Sequence, residues 1–323
     1  MENQYSRLIY FAPLQEATDF VYRRTHARFF GGIDQYFAPY LLRQNDGTIK
    51  KSQLRDIDPK NNPDYPLVTQ IMAGTADEFL FLARQLEAFG YHDINWNLGC
   101  PYPMVTNRGQ GSGLLPHPDR IKEILETVVP KLRSRISIKM RAGLYSPDEI
   151  YPIIPILNDF PLSEIIIHPR VGKQLYIGMA DRTLFASIGS EIKHPLVYNG
   201  DIETPEDFEL CRTMFPETTR WMIGRGILKD PLLPLKIRGT LQWNREERIE
   251  SLRQFHDEVL GQYAVLLSGN SHLLMRMLKF WSYFSHLFPQ PHKALKRVKK
   301  AVNRMKYDIA VSENFQMLYH EEN

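Results

Sequence analysis

Short apolar runs recur along the first three quarters of the chain, each bounded by glycine, proline or polar residues. They lie at Leu8–Ala12, Ile33–Ala38, Leu67–Met72, Asp93–Leu98, Ile136–Arg141, Glu164–His168, Pro195–Tyr198 and Arg220–Ile223. Runs this short and this apolar predict buried strands. Between several of them the apolar positions take a helical spacing. Asp77–Phe89 brings Leu80, Phe81, Ala83, Leu86 and Phe89 largely to one side, and Gly90 ends it. Pro118–Val129 does the same with Ile121, Ile124, Leu125 and Val128. Thr204 ahead of Pro205 has the chemistry of an N-cap before a first-turn proline, and opens a helix through Cys211 and Met214. Eight strands alternating with helices over roughly 235 residues predict an α/β fold, a (β/α)8 TIM barrel. A doubly wound open sheet would need a G-x-G-x-x-G turn after its first strand, and none follows Ala12.

After about Gly239 the strand signal stops. Glu246–Leu267, His272–Phe288 and Lys293–Met305 read as three helices, the first two rich in Leu, Phe, Tyr and Trp. They predict a small all-α C-terminal domain, dividing the chain into 1–240 and 241–323. The polar segment Arg43–Asp64, with its Asn-Asp-Gly turn and two prolines, reads as a loop or small insertion.

Composition narrows the class. The chain has 323 residues, 43% hydrophobic and 24% charged, enough for a core that needs no covalent staples. Two cysteines, Cys100 and Cys211, exclude a disulfide scaffold and a multi-cysteine zinc site and point to a reducing compartment. No stretch approaches the roughly 20 apolar residues of a membrane span, and Met1–Arg7 lacks the pattern of a leader. The expectation is a cytoplasmic protein with no membrane or metal partner, and nothing requires more than a monomer. Net charge is only +3, but from Pro234 onward fourteen Lys and Arg face nine Asp and Glu. A near-neutral body with a basic tail fits a polyanionic partner, although a solvated helix face would explain the charge alone.

In such a barrel the active site lies at the C-terminal ends of the strands. The fourth run leads into Asn97-Leu-Gly-Cys100-Pro-Tyr-Pro and then Gly109–Gly113. The fifth ends in Lys139-Met-Arg141 and the sixth in His168-Pro-Arg170. Residues two apart on a strand share a face, so Lys139 sides with Arg141 and His168 with Arg170. Four cationic or potentially cationic groups at one mouth call for an anionic ligand, because buried Lys and Arg need partners. The seventh and eighth runs end in Asn199-Gly200-Asp201 and Gly224-Arg225-Gly226. Glycine lets backbone N–H groups approach a phosphate, Arg225 adds charge, and barrels commonly hold phosphate in these two loops. A phosphorylated cofactor follows. Cys211 falls on the apolar side of its helix and reads as core. Cys100 stands in a glycine-rich loop that no core stripe explains. With an ordinary pKa of about 8.5 its thiol would be mainly protonated at neutral pH. Nucleophile and acid both stay open as its role.

Taken together, Ala12-Pro13-Leu14, Gln70 in Val-Thr-Gln-Ile, Asn97-Leu-Gly-Cys100-Pro, Gly109–Leu115, Ile138-Lys139-Met-Arg141, Ile167-His168-Pro-Arg170, Asn199-Gly-Asp201 and Met222-Ile-Gly-Arg225-Gly226 resemble the tRNA-dihydrouridine synthases of bacterial type, in order and spacing. Arg276-Met-Leu-Lys279-Phe-Trp281-Ser-Tyr283 is similar to that family's RNA-binding helix. The resemblance implies FMN in the barrel, NADPH as reductant and a uridine in the D-loop of tRNA as substrate. It implies that Ala12, Pro13 and Leu14 line the flavin ring, that Gln70 and Lys139 bond its polar edge, and that His168 lies beside it. Asn199, Gly200, Asp201, Gly224 and Arg225 would hold the phosphate, and Cys100 would be the proton donor. Asn97, Arg141 and Arg170 at the mouth, with Arg276, Lys279, Lys296 and Arg297 along the tail, would meet the substrate. Tyr102-Pro103 beside Cys100, and Asn95 two before Asn97, depart from the family pattern. Two other readings compete: an FMN-dependent reductase of a small dihydropyrimidine or enone, and an RNA-binding protein without catalysis. The basic tail disfavours the first, and Cys100 with Lys139 disfavours the second.

Overall fold

In the computed structural model, which describes residues 7–320, all eight apolar runs form strands. These are β1 (Leu8–Phe11), β2 (Gln35–Phe37), β3 (Leu67–Met72), β4 (Asp93–Leu98), β5 (Arg135–Gly143), β6 (Ile165–Val171), β7 (Leu196–Tyr198) and β8 (Arg220–Ile223). Each is parallel to the next, and β8 pairs with β1 from Leu8 opposite Arg220 to Phe11 opposite Ile223. The sheet therefore closes into the expected eight-stranded barrel with helices around it. Residues 1–6, on which the reading of no leader mostly rests, lie outside the described residues. Among the described residues no helix is long and apolar enough to cross a membrane.

Alternation along the strands sorts the side chains into two cores. Tyr10, Ala12, Phe37, Val68, Ile166, Val197 and Met222 fill the barrel interior. Ile9, Phe11, Ile71, Trp96, Ile138, Ile167 and Trp221 point outward under the helices. At the N-terminal end the interior closes on a polar knot. Arg220 donates to Glu164 at 2.7 Å and the Tyr10 hydroxyl donates to the same carboxylate oxygen at 3.1 Å.

Three expectations about elements are corrected. Arg43–Asp64 contains a helix, Lys51–Ile57, whose single buried residue gives no periodic signal. The helix Ala76–Ala88 buries Phe79, Leu82, Ala83 and Leu86, while Leu80, Phe81 and Phe89 are only partly covered. Its core face is thus turned slightly from the predicted one. Among the described residues the tail has four α-helices, not three: Arg245–Leu266, Asn270–Phe284, Pro291–Lys299 and Arg304–His320. The third stops before Met305, and Asn303 caps the fourth by accepting a hydrogen bond from the Lys306 N–H at 2.9 Å.

Gly239, with φ +67°, ends the last barrel helix, a left-handed position that suits glycine. The tail then packs back on the barrel. Phe255 meets Tyr22 edge-on at 5.4 Å and Phe30 at 5.0 Å, and the Tyr263 hydroxyl donates to Asp19 at 2.7 Å. Inside the tail, His256 and Trp281 both hydrogen-bond the Tyr307 hydroxyl, at 2.8 and 2.9 Å. One apolar core runs through both parts.

Candidate active site

Strand alternation sends Lys139, Arg141, His168 and Arg170 inward at the C-terminal end of the barrel, as the two-residue spacing requires. A cavity opens there. Its lining includes Ala12, Pro13 and Leu14 after β1, Lys139 of β5, His168 of β6, Asn199–Asp201 after β7 and Gly224–Gly226 after β8. The Asn199 side chain donates to the Met222 carbonyl at 2.7 Å and ties the β7 loop to β8. A Cβ on Gly224 would stand 3.1 Å from Leu14 and 3.3 Å from Ala12, so its lack of a side chain keeps this wall open.

The three arginines of the mouth, Arg141, Arg170 and Arg225, and its lysine, Lys139, are not equivalent. Arg170 is 2% exposed. It donates to both oxygens of Asp201 at 2.9 and 2.6 Å, to the Gly178 carbonyl and to His168 Nε2 at 2.9 Å. Its Nε is buried without a partner. Its terminal nitrogens are thus all committed to protein acceptors. Arg141 is also 2% exposed and spends one nitrogen on the Val171 and Leu175 carbonyls, at 2.8 and 2.7 Å. Arg225 donates to Asp201 at 2.8 Å and lies over the Tyr176 ring at 4.6 Å. The Asp201 carboxylate accepts from two arginines and the Ala180 N–H. It therefore acts on the arginines and presents no free charge to a phosphate.

Lys139 has no carboxylate partner among the described residues. Burial, with Arg141 beside it, lowers its pKa to about 7. Burial first, then Lys139 and the surrounding arginines, holds His168 well below the usual histidine range, so its ring is neutral. Because Arg170 donates to Nε2, the ring proton resides on Nδ1.

The thiol side adjoins this cavity. Ser137, Asn95, Gln70 and Asn97 form a chain of side-chain hydrogen bonds across β5, β4 and β3: Asn95 donates to Ser137 at 2.8 Å, Gln70 to Asn95 at 2.7 Å and Asn97 to Gln70 at 2.7 Å. The Asn97 side-chain oxygen, Oδ1, then accepts the Gly99 and Cys100 N–H groups, at 3.0 and 2.8 Å, and so sets the loop that carries the thiol. Gly111 lets that loop fold on itself: it has φ +56°, and a Cβ there would stand 2.6 Å from the Cys100 carbonyl. Cys100 is 9% exposed and packs with Met72 and Val105. Burial pushes its pKa up, against the Tyr102 N–H, the Tyr40 hydroxyl, Arg141 and Lys139. Lys139 and Arg141 thus link the two halves of the mouth.

The predicted tail residues lie apart from the cavity. Arg276 donates to the Glu16 carbonyl at 2.8 Å, and Lys279 lies 3.6 Å from the Glu16 carboxylate, so both tie the tail to the β1 loop. Arg297 donates to Asn314 at 3.0 Å and lies 3.5 Å from Glu313, pinning the third tail helix to the fourth. Lys296 is exposed, as are Lys293, Lys299 and Lys300. Tyr176, in the cavity wall, is the main residue the sequence reading missed. Its signal is the apolar run Leu175-Tyr-Ile-Gly-Met179 in a loop where polar residues are usual. Leu175, Ile177 and Met179 are exposed around it, and Tyr102 and Met104 are exposed beside Cys100.

Fold and site define a (β/α)8 barrel enzyme with an anion-seeking mouth and a buried thiol at its rim. Residues 10–319 match the family described as Dihydrouridine synthase (Dus). The tRNA-dihydrouridine(16) synthase of Ralstonia nicotianae is 28% identical over 243 residues, covering 73% of this chain and 74% of that protein. A probable tRNA-dihydrouridine synthase of Rickettsia conorii is 25% identical over 319 residues, covering 96% of this chain and 93% of that one. Among solved structures, a 2-naphthoyl-CoA reductase complex has a TM-score of 0.55 at 12% identity, over 72% of this chain and 50% of its own. Histamine dehydrogenase from Rhizobium sp. 4-9 also has a TM-score of 0.55, at 10% identity, over 78% of this chain and 49% of its own. The chain spans about half the length of these two structures, which share the fold. The chain belongs to the dihydrouridine synthase family and is an enzyme of that family.

Proposed function

We propose that the enzyme reduces a uridine in the D-loop of tRNA to 5,6-dihydrouridine, with FMN in the cavity and NADPH as reductant. The observation that carries this reading is that Lys139, which lines the cavity with no carboxylate partner among the described residues, lies beside the buried Cys100 thiol at one barrel mouth. The residues fit a phosphorylated, planar anion. Lys139 lacks a counterion, Asp201 orients Arg225 beside the glycine turn, and Gly224 leaves room against Ala12 and Leu14. Ala12, Pro13 and Leu14 would face the ring, Lys139 and Gln70 its polar edge, and Asn199, Gly200, Gly224 and Arg225 the phosphate. Neutral His168 would lie alongside. Arg170 and Asp201 would hold the other groups in place without touching the cofactor.

Bound there, the flavin would supply a hydride for C6 of the uracil. Cys100 would give the matching proton to C5, breaking its S–H bond and keeping the electron pair on sulfur. Its raised pKa keeps the thiol loaded at neutral pH, and Arg141 and Lys139 would meet the charge left behind. Asn97 sets the loop and would face the base. A stacked uracil cannot reach the mouth, so the nucleotide would be turned out of the tRNA fold. The exposed apolar rim of Tyr102, Met104, Tyr176 and Ile177 offers surfaces for bases to pack on. The barrel, 1–240, would carry the chemistry and the tail, 241–323, the grip on the tRNA backbone, with one chain supplying the whole site. The exposed lysines of Pro291–Lys299 supply free cations for it, whereas Arg276, Lys279 and Arg297 act first as struts. The relative named for position 16 supports testing that position first. Mass spectrometry of tRNA treated with enzyme, FMN and NADPH tests the reading: a gain of two hydrogens at one D-loop uridine is expected, and unmodified tRNA would overturn it.

A further inference from the structure

We propose that Tyr40 is a positioning residue for Cys100, its hydroxyl donating a hydrogen bond to the sulfur as the thiol gives up its proton. The inference rests on the reading of Cys100 as the acid. Tyr40 follows β2, on the far side of the β3 end from the Cys100 loop. Its ring packs with Leu42 against Met72, Cys100 and Val105, and its hydroxyl lies 4.0 Å from the Cys100 Sγ. Among the described residues it is the only side chain within hydrogen-bonding reach of the sulfur. The position is fixed from behind, because the Tyr40 carbonyl accepts from Gln53 of the helix Lys51–Ile57 at 3.0 Å.

The need for such a donor follows from burial. Once the proton moves to C5, the electron pair stays on a sulfur that is 9% exposed in the free enzyme. Sulfur is left as a thiolate until water returns a proton. Arg141 contributes charge, but its close hydrogen bonds go to the Val171 and Leu175 carbonyls. Lys139 belongs to the cavity, and the Tyr102 N–H is the one backbone donor that faces the sulfur. The Tyr40 hydroxyl completes the set. Its own environment keeps it protonated: burial, Cys100, Tyr102 and Glu16 all push its pKa up. It therefore donates a hydrogen bond and keeps its proton, and the tyrosine undergoes no net change.

The test uses Tyr40→Phe in the flavin-loaded enzyme, which keeps the ring and its packing and removes the donor. Alkylation of Cys100 by iodoacetamide is followed from about pH 7 to 11, with peptide mass spectrometry separating it from Cys211. The alkylation midpoint is expected to rise by about one pH unit. Reoxidation of the NADPH-reduced enzyme by unmodified tRNA should slow about tenfold, while reduction by NADPH stays unchanged. An unmoved midpoint overturns the contact. A moved midpoint with unchanged reoxidation overturns its role in proton transfer. Cys100→Ala separates this from the reading beneath it: a variant that still makes dihydrouridine removes Cys100 as the acid, whereas the midpoint in Tyr40→Phe reports the contact either way.

Discussion

The barrel mouth and the tail helix Pro291–Lys299 are both rich in positive charge, and they carry it in opposite ways. In the mouth, Arg141 and Arg170 are almost wholly withdrawn from water and tied to protein acceptors, and Lys139 has no such acceptor among the described residues. In the tail, Lys293, Lys296, Lys299 and Lys300 stand in solvent with no acidic partner among the described residues. A buried cation of depressed pKa is costly and recovers that cost only with an anion of matching shape. An exposed lysine costs almost nothing and meets any polyanion, subject to salt. The mouth is built to select a ligand, and the tail to hold a backbone.

The sharpest break between the two regions is chemical. Cys100→Ala should lower dihydrouridine formation by about a thousandfold while flavin content and tRNA affinity stay as in the parent. Full activity in that variant would leave the mouth a binding site only. Next comes the Asp201 carboxylate, which Arg170 and Arg225 share. Asp201→Asn should destabilise the fold by about 3 kcal/mol, because Arg170 and Arg225 lose their shared partner. Urea unfolding reads that change, and an unaltered midpoint would mean the arginines find acceptors elsewhere.

On the tail side, replacing Lys293, Lys296, Lys299 and Lys300 with alanine should weaken tRNA binding about tenfold and flatten its salt dependence. NADPH-driven flavin reduction should not change. Arg297 is left intact in that design, because its loss would loosen the fourth tail helix from the third. Equal affinity at every salt concentration would reduce the helix to a solvated face. The smallest effect is a titration. With its pKa lowered to about 7 by burial and Arg141, Lys139 is mostly neutral at pH 8, and a bound phosphorylated flavin would raise that pKa. FMN binding at pH 8 should then take up close to one proton, and the contribution should fade below pH 6. Calorimetry in two buffers of different ionisation enthalpy measures the uptake, and Lys139→Met should abolish it.

Much of this contrast can be read in the chain before any coordinates. Strands buried on both faces are near-continuous apolar runs, which is why all eight appear in the sequence. The two-residue spacing of Lys139 with Arg141 and of His168 with Arg170 places each pair on one face with no further information. Other features have no local signature. Asp201 looks like part of a phosphate turn, but its partners come from β6 and from Arg225, two residues past β8, so its service to the arginines emerges only when the barrel closes. Tyr40 and Tyr176 sit on irregular loops, where no period marks a buried face. The fourth tail helix hides because its buried stripe, Tyr307, Ala310, Val311, Asn314 and Phe315, includes a polar residue and few large ones. Asn314 is there to accept from Arg297 and to donate to the Ala294 carbonyl at 3.1 Å. Tail cations are legible as charge, but which of them are free depends on neighbours far along the chain.

The most direct measurement is the visible spectrum of the purified enzyme under anaerobic conditions, first with NADPH and then with unmodified tRNA. A flavin spectrum that bleaches with NADPH and returns with tRNA is the predicted result, joining the cavity, the reductant and the polyanion in one experiment. Bleaching that tRNA fails to reverse, or a protein that takes up no FMN when it is supplied, would contradict it.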